Sequence, residues 1–195
     1  NKPFFMVIHL ADTRLPYTAA YDFANPYVYQ LQKKGVYPSP PYVFDVPDLE
    51  AAQKGELQFS PEWQEIARAF FDAEAAYVDR ELGRFLEYLK QKGLYDRALI
   101  VATAAHGAEF WERGGFEHGH SLHREVVEVP LVIKYPEARH AGSLIRDRVS
   151  LLDLFPTLAE FFNWPAPVDL DGVSLYPRAG SLRIMPHSVF VMGLL

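Results

Sequence analysis

Cysteine is absent from all 195 residues. That excludes disulfides, thiolate metal sites and a cysteine nucleophile within this chain, and it leaves the redox compartment open, because a cysteine-free protein is stable on either side of a membrane. Basic residues are outnumbered, 19 Lys and Arg against 25 Asp and Glu, for a formal charge of −6. With no Lys/Arg cluster either, the chain lacks the basic surface that nucleic-acid binding requires. No apolar run approaches the ~20 residues of a membrane-spanning helix. The first apolar stretch, Phe4 to Leu10, is too short for a signal-peptide core. A Gly-rich phosphate loop, a G-x-S-x-G nucleophile elbow, internal repeats and low-complexity segments are missing as well.

What is present is an aromatic-rich globular composition, with 14 Phe, 11 Tyr and 49% hydrophobic residues. This excludes disorder and fits a single domain over residues 1–195. The chain opens at Asn1 almost directly into an apolar run and stops in "SVFVMGLL", so it reads as a piece of a longer protein.

"PFFMVIHL" has the continuous apolar character of a strand buried on both faces. A long irregular segment, rich in proline and tyrosine, is expected from Ala11 to Phe59. Ser60-Pro61 then opens a helix over Pro61 to Lys92, with an N-cap serine and proline at the first helical position. Its apolar face is Trp63, Ile66, Ala67, Phe70, Phe71, Val78, Leu82, Phe85, Leu86 and Leu89, and Gly93 stops it. Two more buried strands are expected at Leu99–Thr103 and Leu131–Tyr135, in one sheet with Phe4–Leu10. Ser150 and Asp153 form a capping box for a second amphipathic helix, "LLDLFPTLAEFFNW", and "SVFVMG" reads as a last strand. The order of elements is that of an α/β fold.

Chemistry concentrates after the second strand. His106, His118, His120 and His123 are interleaved with Glu109, Glu112 and Glu117. Imidazoles and carboxylates are the ligands of zinc, manganese and similar ions, although loop histidines are more commonly just solvated. "VATAAHGAEF" carries a strand into His106-Gly107 at the sheet's carboxyl edge, where open α/β sheets place their sites, yet Ala104 and Ala105 offer no acid. "HLADTRLPY" brings Asp12 and Arg14 to the end of the first strand, toward a crevice shared with His106 and His118; the plainer reading is a turn cap and a solvated arginine. Asp72, Glu74 and Asp79 read as the solvated face of the long helix.

These segments together resemble the sulfatase family of the alkaline-phosphatase superfamily. "KPFFMVIHLADTRLPY" is similar to the family's strand followed by D-P-H-x-P-Y. "FDAEAAYVDRELGRFLEYLKQKGLYDRALIVAT" resembles its long helix and next strand. "AAHGAEFWERGGFEHGHSLHREVVEVPLVIKYP" resembles S-D-H-G-E-E-F-x-E-H-G, H-G-x-S-L-Y and V-P-L-I-I-K, and "SLLDLFPTLAEFF" and "LDGVSLYP" match its later helix and loop.

The resemblance implies an alkaline-phosphatase-like α/β fold, a sheet flanked by helices and incomplete at its N-terminal side. It implies hydrolysis of sulfuric or phosphoric esters with a divalent metal (Ca, Mn or Zn). His106 falls on the metal-binding histidine, but the family's preceding aspartate is Ala105 here and its serine is Ala104. Arg14 replaces a histidine that contacts the sulfate or phosphate, and His118 falls on a second, catalytic anion-contacting residue. The family's nucleophile belongs to an N-terminal half that this resemblance does not cover. The expectation is a sulfatase-like chain, inactive by itself, that binds no metal and keeps an anion crevice at Arg14 and His118. Its expected partners are a sulfate- or phosphate-bearing ligand and the N-terminal half of the same protein. The alternative is a portion of an active metal-dependent ester hydrolase.

Overall fold

Ser60 Oγ accepts a hydrogen bond from the backbone N–H of Trp63, and Pro61 takes the first helical position, as the sequence indicates. The helix so started runs 31 residues and organises the first of two compact units, 1–141 and 142–195. The computed structural model describes residues 3–18 and 20–176. In order, the first unit holds α1 (Tyr21–Lys33), α2 (Leu49–Gln53), α3 (Pro61–Gln91), β1 (Ile100–Thr103), β2 (Glu109–Phe110), β3 (Phe116–Glu117), α4 (Arg124–Val127) and β4 (Leu131–Lys134). The expected strand at "SVFVMG" lies outside the described residues. Among the described residues, no helix is long and apolar enough to cross a membrane.

α1 corrects the expectation of an irregular segment. Pro26 lies inside it and its tyrosines dilute the apolar face, so the periodicity is weak, but Ala24, Val28 and Leu31 are buried and α1 packs along α3. On α3 the buried stripe is Ala67, Ala69, Phe70, Ala73 and Leu89. Val78 and Phe85 are half-buried, and Trp63 is half-exposed. Glu74, assigned above to the solvated face, is buried.

The centre of the unit is aromatic. Tyr17, Phe44, Phe70 and Phe116 are fully buried, each such ring contributing roughly 2–3 kcal/mol through removal of apolar area from water. Tyr17 and Phe44 exchange two backbone hydrogen bonds of 2.8 and 2.9 Å, and their rings stack at 5.9 Å. That bridge fastens the segment after Phe4–Leu10 to the core.

The sheet differs from the expectation in two ways. β1 and β4 pair antiparallel, with Ile100 opposite Lys134 and Thr103 opposite Leu131, and both are half-buried to exposed rather than fully enclosed. Phe4–Leu10 forms no strand. Its backbone pairs with nothing among the described residues, and Phe5 and Val7 are 70% and 76% exposed. Apolar character selects burial only where a neighbouring strand or helix provides a surface, and no described element covers this run.

In the second unit Ser150 and Asp153 form the capping box anticipated above, opening a 3₁₀ turn (Leu151–Asp153) that continues into α5 (Leu154–Phe162). Pro156 sits in the first turn of α5, where its missing N–H costs little. Asn163 closes α5 in the left-handed conformation.

Candidate functional site

β1 ends at Thr103, and Ala104-Ala105-His106-Gly107 follow at its carboxyl edge. Gly107 donates its N–H to Val126 O at 2.7 Å, and a Cβ on it would lie 2.1 Å from Glu125 O. Only glycine allows this close approach, which clamps the loop carrying His106 against α4. His106 is exposed, and its Nδ1 lies 2.9 Å from Gly107 O. A carbonyl only accepts, so Nδ1 carries the hydrogen and Nε2 is left open.

The β2–β3 ribbon follows. It has two rungs, Glu109 opposite Glu117 and Phe110 opposite Phe116, and the two phenylalanines anchor it in the aromatic core. Glu117 takes a left-handed backbone (φ 67°), which a residue with a side chain adopts only when its surroundings enforce it. The turn brings its buried carboxylate between two donors. Tyr17 donates its hydroxyl to one oxygen, and the other lies 2.9 Å from His118 Nδ1. Burial, then the charge of Glu117, pushes the Tyr17 phenol well above its ordinary range, so it remains a donor. The His118 ring in turn stacks on His106, centroids 3.8 Å apart and planes 26° from parallel.

Glu109 makes a second buried carboxylate–imidazole pair. One oxygen accepts from the N–H groups of Arg113 (2.8 Å) and Gly115 (2.9 Å), and the other lies 3.0 Å from His120 Nε2. Burial opposes its charge, but the hydrogen bonds from His120, Gly115 and Arg113 outweigh burial and hold the carboxyl below its ordinary value. Gly115 makes the contact geometrically feasible, since a Cβ there would fall 2.2 Å from His120 Nε2. His120 also lines an open cleft of about 700 Å³ with Trp111, Arg113, Ser121 and Lys54.

Of the residues singled out from the sequence, His106 and His118 come together. Arg14 does not join them by any hydrogen bond or ion pair among the described residues. It is exposed on the turn after the extended run, its Nη2 3.4 Å from His9 Nε2. His123 precedes α4 and is exposed, and Glu112 folds back on the Phe110 N–H.

A divalent metal does not fit the residues present. No group of three or more His, Asp or Glu side chains is placed to hold an ion among the described residues. Ala104 and Ala105 offer no side-chain oxygen, both Glu117 oxygens are occupied, and two neutral imidazoles provide no anion. What the arrangement offers is a pair of imidazoles, one backed by a buried carboxylate. Sequence reasoning missed the roles of Tyr17 and Glu117. The Glu117-His118 neighbours in "FEHGH" were the available signal, but nothing local reveals a phenol one hundred residues away.

Comparison with known proteins bears on the family and the fold. The sulfatase family pattern matches residues 1–164. An N-acetylglucosamine-6-O-sulfatase of Bacteroides thetaiotaomicron is 34% identical over 124 residues, covering 64% of this chain and 22% of that protein. Arylsulfatase K of Bos taurus is 32% identical over 115 residues, covering 59% and 21%. The chain thus spans about a fifth of the length of these relatives. Among solved structures, the phosphonate monoester hydrolase of Silicibacter pomeroyi superposes with a TM-score of 0.60 at 26% identity, over 81% of this chain and 29% of that one. The α/β fold is therefore of the alkaline-phosphatase-like kind, and the chain belongs to the sulfatase family.

Proposed function

We propose that this chain binds a sulfate- or phosphate-bearing ligand at the crevice of His106 and His118 and, by itself, does not hydrolyse it. The observation that carries the reading is the His106–His118 stack behind Ala104 and Ala105. The imidazole that would contact an anion is retained and braced, while the acid that would hold a metal beside it is an alanine. His118, protonated, donates from Nε2 to an anionic oxygen. Arg14 contributes its guanidinium by moving from His9 toward the ligand, a fork suited to sulfate and phosphate oxygens. A relative solved with its substrate D-glucosamine-2-N,6-O-disulfate, 30% identical with a TM-score of 0.51, supports a sulfate ester as the ligand class. The further partner is the remainder of a sulfatase fold, which would supply a nucleophile.

A second reading keeps this chain as part of an active metal-dependent ester hydrolase. The open Nε2 of His106, the nitrogen an incoming ion would take, favours it. One assay separates the two: the chain co-expressed with the N-terminal half of its sulfatase fold is incubated with an aryl sulfate and an aryl phosphate, with and without added Ca, Mn or Zn. No turnover above the buffer blank is expected. Turnover that persists through purification and disappears in His106→Ala would establish the second reading instead.

A further inference from the structure

Tyr17 is held more firmly than any ligand-facing group in the crevice. Its side chain is fully buried, its backbone is paired with Phe44, and its ring packs on Phe44 (5.9 Å), Phe71 (5.7 Å) and Phe110 (6.4 Å). The phenol therefore has one position, and it donates to Glu117. Glu117 is 5% exposed, and its left-handed backbone is locked between buried Phe116 and the turn at Gly119. A carboxylate is acceptor-only, so the second oxygen, 2.9 Å from His118 Nδ1, requires a hydrogen on that nitrogen. The neutral His118 ring is then fixed as its Nδ1–H tautomer. His106, stacked at 3.8 Å, blocks one face of the ring and limits its rotation.

We infer that Tyr17 and Glu117 are positioning residues of the anion crevice: the buried phenol fixes the carboxylate, the carboxylate fixes His118 with Nδ1–H turned inward, and Nε2 is the atom left to take up a proton and donate it in a hydrogen bond to a sulfate or phosphate oxygen. The inference rests on His118 as the anion contact proposed above. Neither residue touches the ligand. Their effect is to spend the ordering of His118 in the folded protein rather than at binding, which is how preorganised partners of a binding histidine act.

The two glutamate variants separate geometry from charge. In Glu117→Gln the amide oxygen goes on accepting from the buried Tyr17 hydroxyl, so the NH₂ group faces His118 Nδ1 and donates to it, and the tautomer preference is reversed. In Glu117→Ala it is lost. Tyr17→Phe retains the ring and its packing, so it is the variant that leaves the core intact while releasing one end of the carboxylate.

The test uses the whole 195-residue chain labelled with ¹⁵N at histidine. Long-range ¹⁵N–¹H correlation spectra, recorded first without added anion, report which ring nitrogen of neutral His118 holds the hydrogen. Wild type is expected as Nδ1–H, Glu117→Gln as Nε2–H, and Tyr17→Phe and Glu117→Ala as mixtures shifted toward Nε2–H. A wild-type ring protonated at Nε2, or a Glu117→Ala ring unchanged from wild type, would overturn the inference. Titration with inorganic sulfate follows. Loss of one brace to a charged partner is expected to weaken binding about ten- to a hundredfold in Tyr17→Phe. Unchanged sulfate affinity in Tyr17→Phe overturns positioning and leaves anion binding standing. A wild-type ring that is Nδ1–H yet does not respond to sulfate overturns anion binding, while the tautomer result supports the brace.

Discussion

Glu109 and Glu117 face each other across the two-rung β2–β3 ribbon, and both carboxylates are buried. Like charges directly opposite on a ribbon destabilise it unless each is compensated. Here each turns to a different imidazole, Glu109 to His120 and Glu117 to His118, and each has a further donor on its other oxygen. The ribbon thus presents two carboxylate-backed histidines two residues apart in sequence, on one short, aromatic-anchored platform.

Removing the charge of Glu109 should cost more near neutrality than in acid. Its folded-state carboxyl is held below the ordinary value, so over that window the unfolded chain binds more protons. The stabilisation is present above the unfolded value of about 4.3 and is lost as pH falls through the folded one. Glu109→Gln leaves a single oxygen for the donors at Arg113, Gly115 and His120, a loss of about 2–4 kcal/mol. Urea unfolding at about pH 7 should show that deficit, and at about pH 3 it should be smaller. An equal deficit at both would mean that the charge contributes nothing.

Glu74 should behave with the opposite sign. Burial pushes its carboxyl up to about 7, the hydrogen bond from Thr18 N (2.5 Å) opposes that shift, and the charge of Asp12 adds to it. A raised folded value means stability that is full below the unfolded value and declines as pH rises from there to about 7. Glu74→Gln keeps an oxygen for Thr18 N and removes the charge. It should stabilise the protein by on the order of 1–3 kcal/mol at about pH 8, with little change at about pH 4. A variant no more stable than wild type at the higher pH would show that water reaches this carboxylate.

These two glutamates mark the limit of what the sequence makes legible. Helix α3 and its Ser60-Pro61 start, strands β1 and β4 to within a residue, and the Ser150–Asp153 capping box are all readable, because caps and periodicity act between near neighbours. Helix α1 is hidden by Pro26, and Phe4–Leu10 reads as a buried strand because apolar content registers a preference for burial, not whether a covering surface exists. At the site, the His106–His118 proximity follows from the family resemblance. Burial of Glu74, Glu109 and Glu117 does not, since a glutamate among loop histidines or on a helix looks solvated until the fold supplies its donors.

The second unit has its own buried acid. Asp153 accepts from Ser150 N and Val173 N, both at 2.8 Å, and Thr157 Oγ accepts from Leu175 N at 2.8 Å, tying the segment at 173–175 to the start of α5. Asp153→Ala orphans two backbone donors and should cost about 2–4 kcal/mol, whereas Ser150→Ala, which removes one exposed cap, should cost about 1 kcal/mol. Amide exchange at Val173 should accelerate strongly in the first variant and little in the second. Equal acceleration would assign the tie to the cap rather than to the buried carboxylate.

Ala105 offers a direct test of what the crevice lacks as a metal site. The side chain is exposed, so an aspartate fits there without displacing packed atoms, next to His106 with its open Nε2. Two imidazoles supply nitrogen donors but leave the full charge of a divalent ion uncompensated, and a carboxylate supplies both an oxygen ligand and a negative charge. Ala105→Asp should therefore tighten Zn²⁺ binding at least tenfold, roughly 1.4 kcal/mol, in competition titrations at about pH 7.5. Ala105→Asn, similar in shape but neutral, should gain much less, and His106→Ala in the aspartate background should abolish the gain. If asparagine does as well as aspartate, the deficit is one of ligand number and not of charge. If neither binds, the His106–His118 stack itself holds the imidazoles in an arrangement that no single added ligand converts to a metal centre.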